Sequence, residues 1–96
     1  MPAKHTAIHL TGQLICADAA DVALVVAHVP THIALTLAEP GCLSFAVDQT
    51  DDPLVWTVTE TFADQAAFDA HQSRTRASDW YRLTAHIPRA YAITHG

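Results

Sequence analysis

Glycine and cysteine are scarce in this chain of 96 residues, and each shortage excludes a class of site. Three glycines are too few for the glycine-rich loops that hold phosphates and dinucleotides, and no Gly-x-Ser-x-Gly hydrolase motif occurs. The two cysteines, Cys16 and Cys42, form neither a disulfide framework nor a metal-binding spacing. Reduced thiols in a cytoplasmic protein are the simpler interpretation.

Basic residues and long apolar runs are also scarce. Five Lys and Arg stand against ten Asp and Glu, which gives a formal net charge of −5. This balance argues against a nucleic-acid surface and against binding to an anionic membrane. Residues 1–5 lack the apolar run of a signal peptide, and the longest apolar run, residues 22–27, is far shorter than the roughly 20 residues that span a bilayer. We therefore expect a soluble, cytoplasmic protein.

Apolar residues, by contrast, are abundant for so short a chain. Half of the residues are hydrophobic and 16% are charged, which is the composition of a globular protein. The length suits one domain, residues 1–96. A domain of this size has little interior in which to bury so much apolar surface, so the composition predicts a buried subunit interface.

Hydrophobic spacing predicts the element order βαββαβ. Alternation indicates strands over residues 7–16, 42–49, 54–62 and 91–94. Helical spacing indicates a helix over residues 19–37, a second from the Asp64 cap through His71, and a third over residues 77–85. At Pro30 we expect a kink or a restart of the first helix. This order is typical of a ferredoxin-like α+β fold, with an antiparallel four-stranded sheet and the helices on one face.

The two faces of the third predicted strand differ in polarity. One face carries Leu54, Trp56, Val58, Glu60 and Phe62. The other carries Val55 and three threonines, and Ala7 and Ala46 of the neighbouring strands share its uncharged character. Helices cover only one face of such a sheet. The uncharged second face therefore predicts that the sheet packs against that of a second copy, in a homodimer.

Two segments resemble the antibiotic-biosynthesis monooxygenase family, which includes quinol monooxygenases. The family's Glu-Pro-Gly-Cys-Leu segment is similar to Glu39-Pro40-Gly41-Cys42-Leu43-Ser44-Phe45. Its Glu-x-Trp-x-Asp-x-x-Ala-Phe-x-x-His segment is similar to residues 60–71, although Phe62 stands where many members carry Trp. The residues that carry over are Glu60, Asp64, Phe68 and His71. The resemblance implies a dimeric α+β barrel.

The resemblance also implies a function. Members include cofactor-free oxygenases, haem-degrading enzymes and proteins without a known substrate. The haem-degrading branch uses an Asn on the first strand and a Trp on the third, where this chain has Thr11 and Phe62. We therefore expect a cofactor-independent monooxygenase that oxidises a small aromatic substrate, such as a quinol or polyphenol, with molecular oxygen and no bound cofactor.

An aromatic slot with a carboxylate and an imidazole at its end would suit this chemistry. We predict that His71 is the catalytic base or hydrogen-bond partner and that Glu60 orients it. The predicted substrate-binding residues are His9, Trp56, Phe62, Phe68 and Trp80.

Other interpretations of the same residues stay open. A buried Glu and His often simply satisfy one another where a helix docks on a sheet. The slot would also suit a non-catalytic, stress-related barrel that binds a hydrophobic ligand, or an isomerase or cyclase that needs only a base. Glu39, at a helix C-terminus, is expected to be structural and to have an Arg partner. His28 and His32 have the spacing of two metal ligands, but Pro30 lies between them and no metal site is predicted.

Overall fold

The computed structural model describes residues 6–96 and confirms the βαββαβ order, and the second helical region consists of two helices, α2 and α3, as predicted. The described strands are β1 (Ile8–Ile15), β2 (Cys42–Gln49), β3 (Val55–Phe62) and β4 (Arg89–His95). The described helices are α1 (Ala19–Leu37), α2 (Gln65–Arg76) and α3 (Asp79–Thr84). Residues 1–5, on which the expectation of no signal peptide depends, lie outside the described residues.

The four strands form one antiparallel sheet in the order β2-β3-β1-β4, as the ferredoxin-like interpretation predicts. The central strands β1 and β3 pair with Leu10 opposite Glu60 and Leu14 opposite Trp56. Side chains alternate between the two faces of a strand, so this register puts the apolar residues of both strands on the same side. That side is the core, and its most buried strand residues are Ile8, Leu10, Leu14, Val58 and Phe62.

Helix α1 begins at an Asp18 cap, whose side chain accepts a hydrogen bond from the Asp21 amide. The helix continues through Pro30 to Leu37, so of the two outcomes predicted at Pro30, a kink or a restart, the restart does not occur. Pro30 and Val26 are both on the solvent side, where water can hydrate the carbonyl group that loses its hydrogen bond. The helix is long and apolar enough to cross a membrane, but its buried residues follow one stripe, which is the pattern of a core helix.

The second face of the sheet is not covered by any helix among the described residues. Thr11 and Thr59 are exposed at its centre, and β4 adds Ala90 and Ala92 beside them. The prediction that this face is uncharged needs one correction, because Asp48 of the edge strand β2 also lies on it, opposite Thr57. His9, Gln13 and Ile15 of β1 also lie on this face, and apart from Asp48 the other residues named on it are small or carry hydroxyl groups.

The turn between α1 and β2 brings the end of α1 against the start of α2. Gly41 has a φ of +87°, in the left-handed region where a side chain is disfavoured. Its carbonyl accepts a 2.8 Å hydrogen bond from the Ala63 amide. A Cβ at Gly41 would lie 2.6 Å from the Cβ of Ala67 on α2. The glycine therefore permits the close approach of Glu39, two residues earlier, to α2.

We predict that Gly41→Ala lowers the free energy of unfolding by about 2–4 kcal/mol, from the unfavourable φ and the overlap with Ala67. Denaturant unfolding of the Gly41→Ala and Ala67→Gly single variants and of the double variant measures the coupling between the two sites. Removal of the Ala67 methyl group should recover part of the loss caused by Gly41→Ala. Strictly additive losses would contradict the steric explanation. Gly96→Ala, at the other described glycine with positive φ and with open space around it, is the control.

Candidate functional site

His71 is placed by helix α2 and by the aromatic residues beneath it. The Asp64 side chain caps α2 by accepting a 2.8 Å hydrogen bond from the Ala67 amide. Phe68 and His71, three residues apart, then share the buried face of the helix. The His71 ring lies 4.8 Å from that of Phe62, centre to centre, and only 2% of the residue is exposed. The imidazole is therefore held by packing on β3.

The carboxylate that orients His71 is Glu39. The His71 Nδ1 atom lies 2.9 Å from Glu39 Oε1 and 3.2 Å from Oε2. Since a carboxylate only accepts hydrogen bonds, these contacts assign the proton to Nδ1 and the lone pair to Nε2. Arg74 also binds Glu39 through its Nε, and its Nη2 donates a 2.9 Å bond to Thr36 Oγ1. The carboxylate is thus held between an imidazole and a guanidinium.

The Nε2 atom of His71 faces Glu60 and Thr75. Glu60 Oε1 is 3.8 Å from Nε2, which is too long for a hydrogen bond, and Thr75 Oγ1 is 3.4 Å away. The hydrogen bond that orients His71 therefore comes from Glu39, and Glu60, which was expected to orient it, lies near the other ring nitrogen. Burial lowers the pKa of His71, the Glu39 carboxylate opposes this, and the Arg74 charge adds to the lowering. His71 is neutral at pH 7, and the lone pair of its Nε2 accepts a long hydrogen bond, of 3.4 Å, from the Thr75 hydroxyl group.

Glu60 is a buried carboxyl group that lacks a hydrogen bond on one oxygen. It is 7% exposed, and its Oε1 has no hydrogen-bond partner in the described part of the chain. Burial raises the pKa of Glu60 to about 7, with help from the negative charge of Glu39. At neutral pH the group is present in both protonation states, which suits a residue that gives and takes protons.

His32 of α1 lies beside His71 in the lining of the site. Its ring stacks on Trp80 at 5.2 Å with an interplanar angle of 11°, and meets the edge of Phe45 at 5.3 Å. The centre of the His71 ring is 5.8 Å away. Burial lowers the pKa of His32 to about 3, and the nearby charges of His71, Arg74 and Arg89 act in the same direction. His32 is therefore a neutral, polar member of an aromatic wall.

These side chains border one cavity of about 250 Å³ between the helices and the sheet. The buried residues of its lining are Leu10, Leu14, His32, Phe45, Val47, Val58, Glu60, His71 and Trp80. Gln72, Thr75, Arg76, Tyr81 and Tyr91 form the more exposed part of the lining. An engineered cavity of about 150 Å³ is enough to hold benzene, so this volume suits an aromatic ligand of one or two rings.

The structure brings three of the residues predicted from the sequence to this cavity: His71, Glu60 and Trp80. The other four predicted residues lie outside its lining. Phe62 and Phe68 pack against each other behind His71. Trp56 belongs to the core at the far end of β3, and His9 lies on the second face of the sheet, where its Nδ1 is 3.1 Å from Thr61 Oγ1.

Two residues of the site were missed from the sequence. Glu39 was considered structural, although its position at a helix C-terminus had indicated that it needs a cationic partner. His32 was considered only as a metal ligand with His28. Periodicity gave a clue to its burial, since Val25, Val29, His32 and Thr36 follow one helical stripe. The described residues contain no cluster of His, Cys, Asp and Glu suited to a metal ion.

Comparison with known proteins identifies the family and the fold. A family model described as antibiotic biosynthesis monooxygenase matches residues 15–83. Among curated proteins no relative matches the chain.

Three of the similar solved structures cover nearly the whole chain. A Nitrosomonas europaea protein proposed to be an antibiotic biosynthesis monooxygenase is 20% identical, with a TM-score of 0.76, over 100% of this chain and 94% of that one. A similarly described Bacteroides thetaiotaomicron protein is 19% identical, with a TM-score of 0.75, over 96% and 88% of the two chains. A conserved Methanosarcina mazei protein is 22% identical, with a TM-score of 0.74, over 92% and 90%. At such identities the structures show the fold alone.

We predict that Glu60→Gln raises the free energy of unfolding at pH 8 and has little effect near pH 4.5. The pKa of Glu60 is about 7 in the folded chain against 4.5 for an ordinary Glu. Below pH 4.5 the buried carboxyl group is protonated and does not lower the free energy of unfolding. As the pH rises through 7, the cost of burying its ionised form lowers the free energy of unfolding. The gain at pH 8 should reach up to about 3 kcal/mol.

Urea unfolding at a series of pH values tests this prediction. Asp51→Asn, at an exposed turn carboxylate, controls for the loss of one charge. A gain in Glu60→Gln that is the same at pH 4.5 and pH 8 would contradict the assignment of an unpaired, buried carboxyl group.

Proposed function

We propose that this chain, which belongs to the antibiotic biosynthesis monooxygenase family, oxidises a small phenolic or quinol substrate with molecular oxygen in the cavity beside His71. The observation that carries the proposal is the arrangement of three groups. Glu39 holds the Nδ1 side of His71, so that the Nε2 lone pair faces Glu60. A neutral base and a carboxyl group with a raised pKa thus meet in a cavity with aromatic walls.

The reaction balances without a bound cofactor, because the substrate supplies all the electrons. A phenol with a ring C–H para or ortho to its hydroxyl group combines with one O₂ to give a quinone and one water. The carbon of the broken C–H bond keeps one oxygen atom as its new carbonyl. The second oxygen atom leaves as water with the two hydrogens from the C–H and O–H bonds. The ring loses four electrons in total, and O₂ gains them.

His71 acts as the acceptor of the phenolic proton. A phenol has a pKa near 10 and an ordinary His near 6.5, and burial lowers the pKa of His71 further. Full proton transfer before oxidation would therefore cost at least about 5 kcal/mol. The proton instead moves to Nε2 as the electron leaves for O₂, since oxidation makes the hydroxyl group strongly acidic. Glu39 stabilises the imidazolium that results.

Glu60 supplies a proton on the same side of the cavity. With a pKa of about 7, it is partly protonated at neutral pH. Its Oε1 lies 3.8 Å from His71 Nε2, so one substrate oxygen can contact both residues. We assign Glu60 the delivery of a proton to the oxygen atom that departs as water.

His71→Gln should lower the turnover number for O₂ uptake at least about 100-fold, since a positioned base contributes on the order of 10²–10⁴. An oxygen electrode with a panel of quinols and polyphenols measures the rate, and thermal unfolding measures stability on the same samples. The control is His86→Gln, an exposed histidine whose Nε2 bonds to Asp21 Oδ1 at 2.8 Å, and it should keep the rate. Loss of stability with an unchanged rate per folded molecule would remove His71 from the mechanism.

Tight binding without any O₂ uptake across the panel would instead favour a hydrophobic-ligand-binding barrel. Exchange of substrate C–H protons with solvent, again without O₂ uptake, would favour an isomerase or cyclase. Both alternative functions bind a ligand in the cavity without oxidising it. Measuring O₂ uptake together with ligand binding and proton exchange therefore distinguishes them from a monooxygenase.

We also propose that the chain works as a cytoplasmic homodimer, with the second face of the sheet as the interface. The support is the exposed surface of Thr11, Thr59, Ala90 and Ala92, which has few charged groups to keep it in water. Pairing two such faces would close a sheet-on-sheet barrel and enlarge the core of a small domain.

Thr59→Lys should convert the dimer to monomers, because it places a charge at the centre of the uncharged surface. Sedimentation equilibrium at low micromolar concentration measures the association. Ala23→Lys, on the exposed side of α1, is the matched control and should stay dimeric. A wild-type chain that sediments as a stable, folded monomer would contradict the proposed interface.

A further inference from the structure

A second cavity, of about 270 Å³, lies on the outer side of α1 and α3, next to the end of α2. Its lining includes the stacked rings of His32 and Trp80, which also line the cavity beside His71. Leu35 of α1 adds apolar surface, and Arg74 of α2 adds a positive charge. The oxidation proposed above makes no use of this second space.

We propose that the second cavity binds a small carboxylate with an apolar body, that Arg74 holds its carboxylate group, and that Glu39 transmits the binding to His71. The ligand would act on the chain as an effector. Its site is separate from the cavity beside His71, and the assignment does not depend on the reaction proposed there.

Arg74 is positioned for this contact by two hydrogen bonds. Its Nε binds the Glu39 carboxylate, and its Nη2 donates a 2.9 Å bond to Thr36 Oγ1. A guanidinium has five N–H groups, so three remain, and Nη1 makes no hydrogen bond within residues 6–96. The side chain is 30% exposed and contributes to the cavity lining. A carboxylate can accept paired hydrogen bonds from such a group, and little side-chain entropy is lost because the group is already held.

The other charges near the cavity are already paired. Asp79 is the carboxylate among the described residues of the lining. It is 81% exposed and accepts a 3.0 Å bond from Arg82, so water and this partner weaken its repulsion of an anion. The Glu39 carboxylate lies outside the described lining and is bound by His71 and Arg74. The unused N–H groups of Arg74 therefore favour a ligand with negative charge.

The rest of the lining indicates the body of the ligand. Leu35 and Trp80 offer an apolar surface, and His28 and Thr31 add two polar side chains from α1. Ligand pockets typically combine a mostly apolar lining with a few polar groups that fix the orientation. An engineered cavity of about 150 Å³ is enough to hold benzene, so the second cavity has room for one ring and a carboxylate.

Arg74 also connects the second cavity with His71, because both side chains bind the same Glu39 carboxylate. Burial lowers the pKa of His71, the Glu39 carboxylate raises it and the charge of Arg74 lowers it. An anion bound to Arg74 offsets that positive charge, so it should raise the pKa of His71. Glu60 and His32 also face His71, at 3.8 Å from its Nε2 and at 5.8 Å between ring centres. Comparison of the free and bound chain separates the effect of the ligand from theirs.

Isothermal titration calorimetry with benzoate, benzamide and benzylamine tests the site, because the three probes share one ring and differ in charge. Benzoate should bind at least about tenfold more tightly than the other two, which corresponds to a charge-assisted hydrogen bond to Arg74. Equal binding of benzamide, or tighter binding of benzylamine, would contradict the assignment of Arg74. A dissociation constant for benzoate weaker than about 10 mM would refute the site.

Two leucine variants show which cavity benzoate occupies. Leu35→Trp fills the second cavity and should weaken benzoate binding at least about tenfold. Leu37→Trp is the matched control, since Leu37 is an equally exposed leucine of α1 outside the described linings of both cavities, and it should keep the affinity. An unchanged affinity in Leu35→Trp would overturn the proposal.

Arg74→Gln should reduce the preference for benzoate over benzamide to about twofold or less, and a preference that survives would refute the role of Arg74. Thermal unfolding establishes that each variant is folded before it is titrated. The leucine pair leaves the Glu39 contacts in place, so it tests the site even if Arg74→Gln does not fold.

NMR titration of the His71 ring protons measures the coupling. Saturating benzoate should raise the pKa of His71 by about 0.3 or more, and saturating benzamide should not. An unchanged pKa with benzoate bound would refute the transmission through Glu39. None of these measurements involves O₂ uptake, so their failure would leave the proposed oxidation untouched, and an absence of O₂ uptake would leave the carboxylate site untouched.

Discussion

The carboxylate of Glu39 connects the parts of the structure from which the site is made. It belongs to the turn that ends α1, and it binds two side chains of α2, His71 and Arg74. Arg74 extends the connection to Thr36, a fully buried residue of α1. When a fully buried charge pair loses one member, the cost is about 3–5 kcal/mol, and it is smaller here because Glu39 is 14% and Arg74 30% exposed. The same contact therefore fixes the docking of α2 and the direction in which His71 presents Nε2.

Two buried titratable side chains near the Glu39 carboxylate lower the stability of the folded chain. Glu60 is buried with a pKa far above its ordinary value, and His32 is buried with a pKa far below. An apolar core of the same shape would avoid both costs. Since the two shifts have opposite signs, their effects on the pH dependence of stability partly cancel between the ordinary pKa values of Glu and His. Two such groups beside one cavity are the pattern of a binding or catalytic site rather than of a core optimised for stability.

The sequence was most informative where one residue pattern decides the structure. Alternation along β3 separates Trp56, Val58 and Glu60 from the threonines, and the observed register follows it. The partner of His71 could not be read in this way, because Glu39 and His71 are 32 positions apart and meet only once α2 has docked. Glu60 was the plausible partner, since its strand lies directly under α2. His32 was missed because α1 carries apolar residues on its exposed side too, such as Val26 and Leu37, which obscures the buried stripe.

The stacked pair of His32 and Trp80 also borders a second cavity, of about 270 Å³, on the outer side of α1 and α3. A wall only two rings thick therefore separates two spaces of similar size. In a descendant of this chain, a small residue in place of Trp80 would join them into a chamber long enough for an extended polycyclic molecule. Trp80, a buried residue, therefore limits the length of the space beside His71.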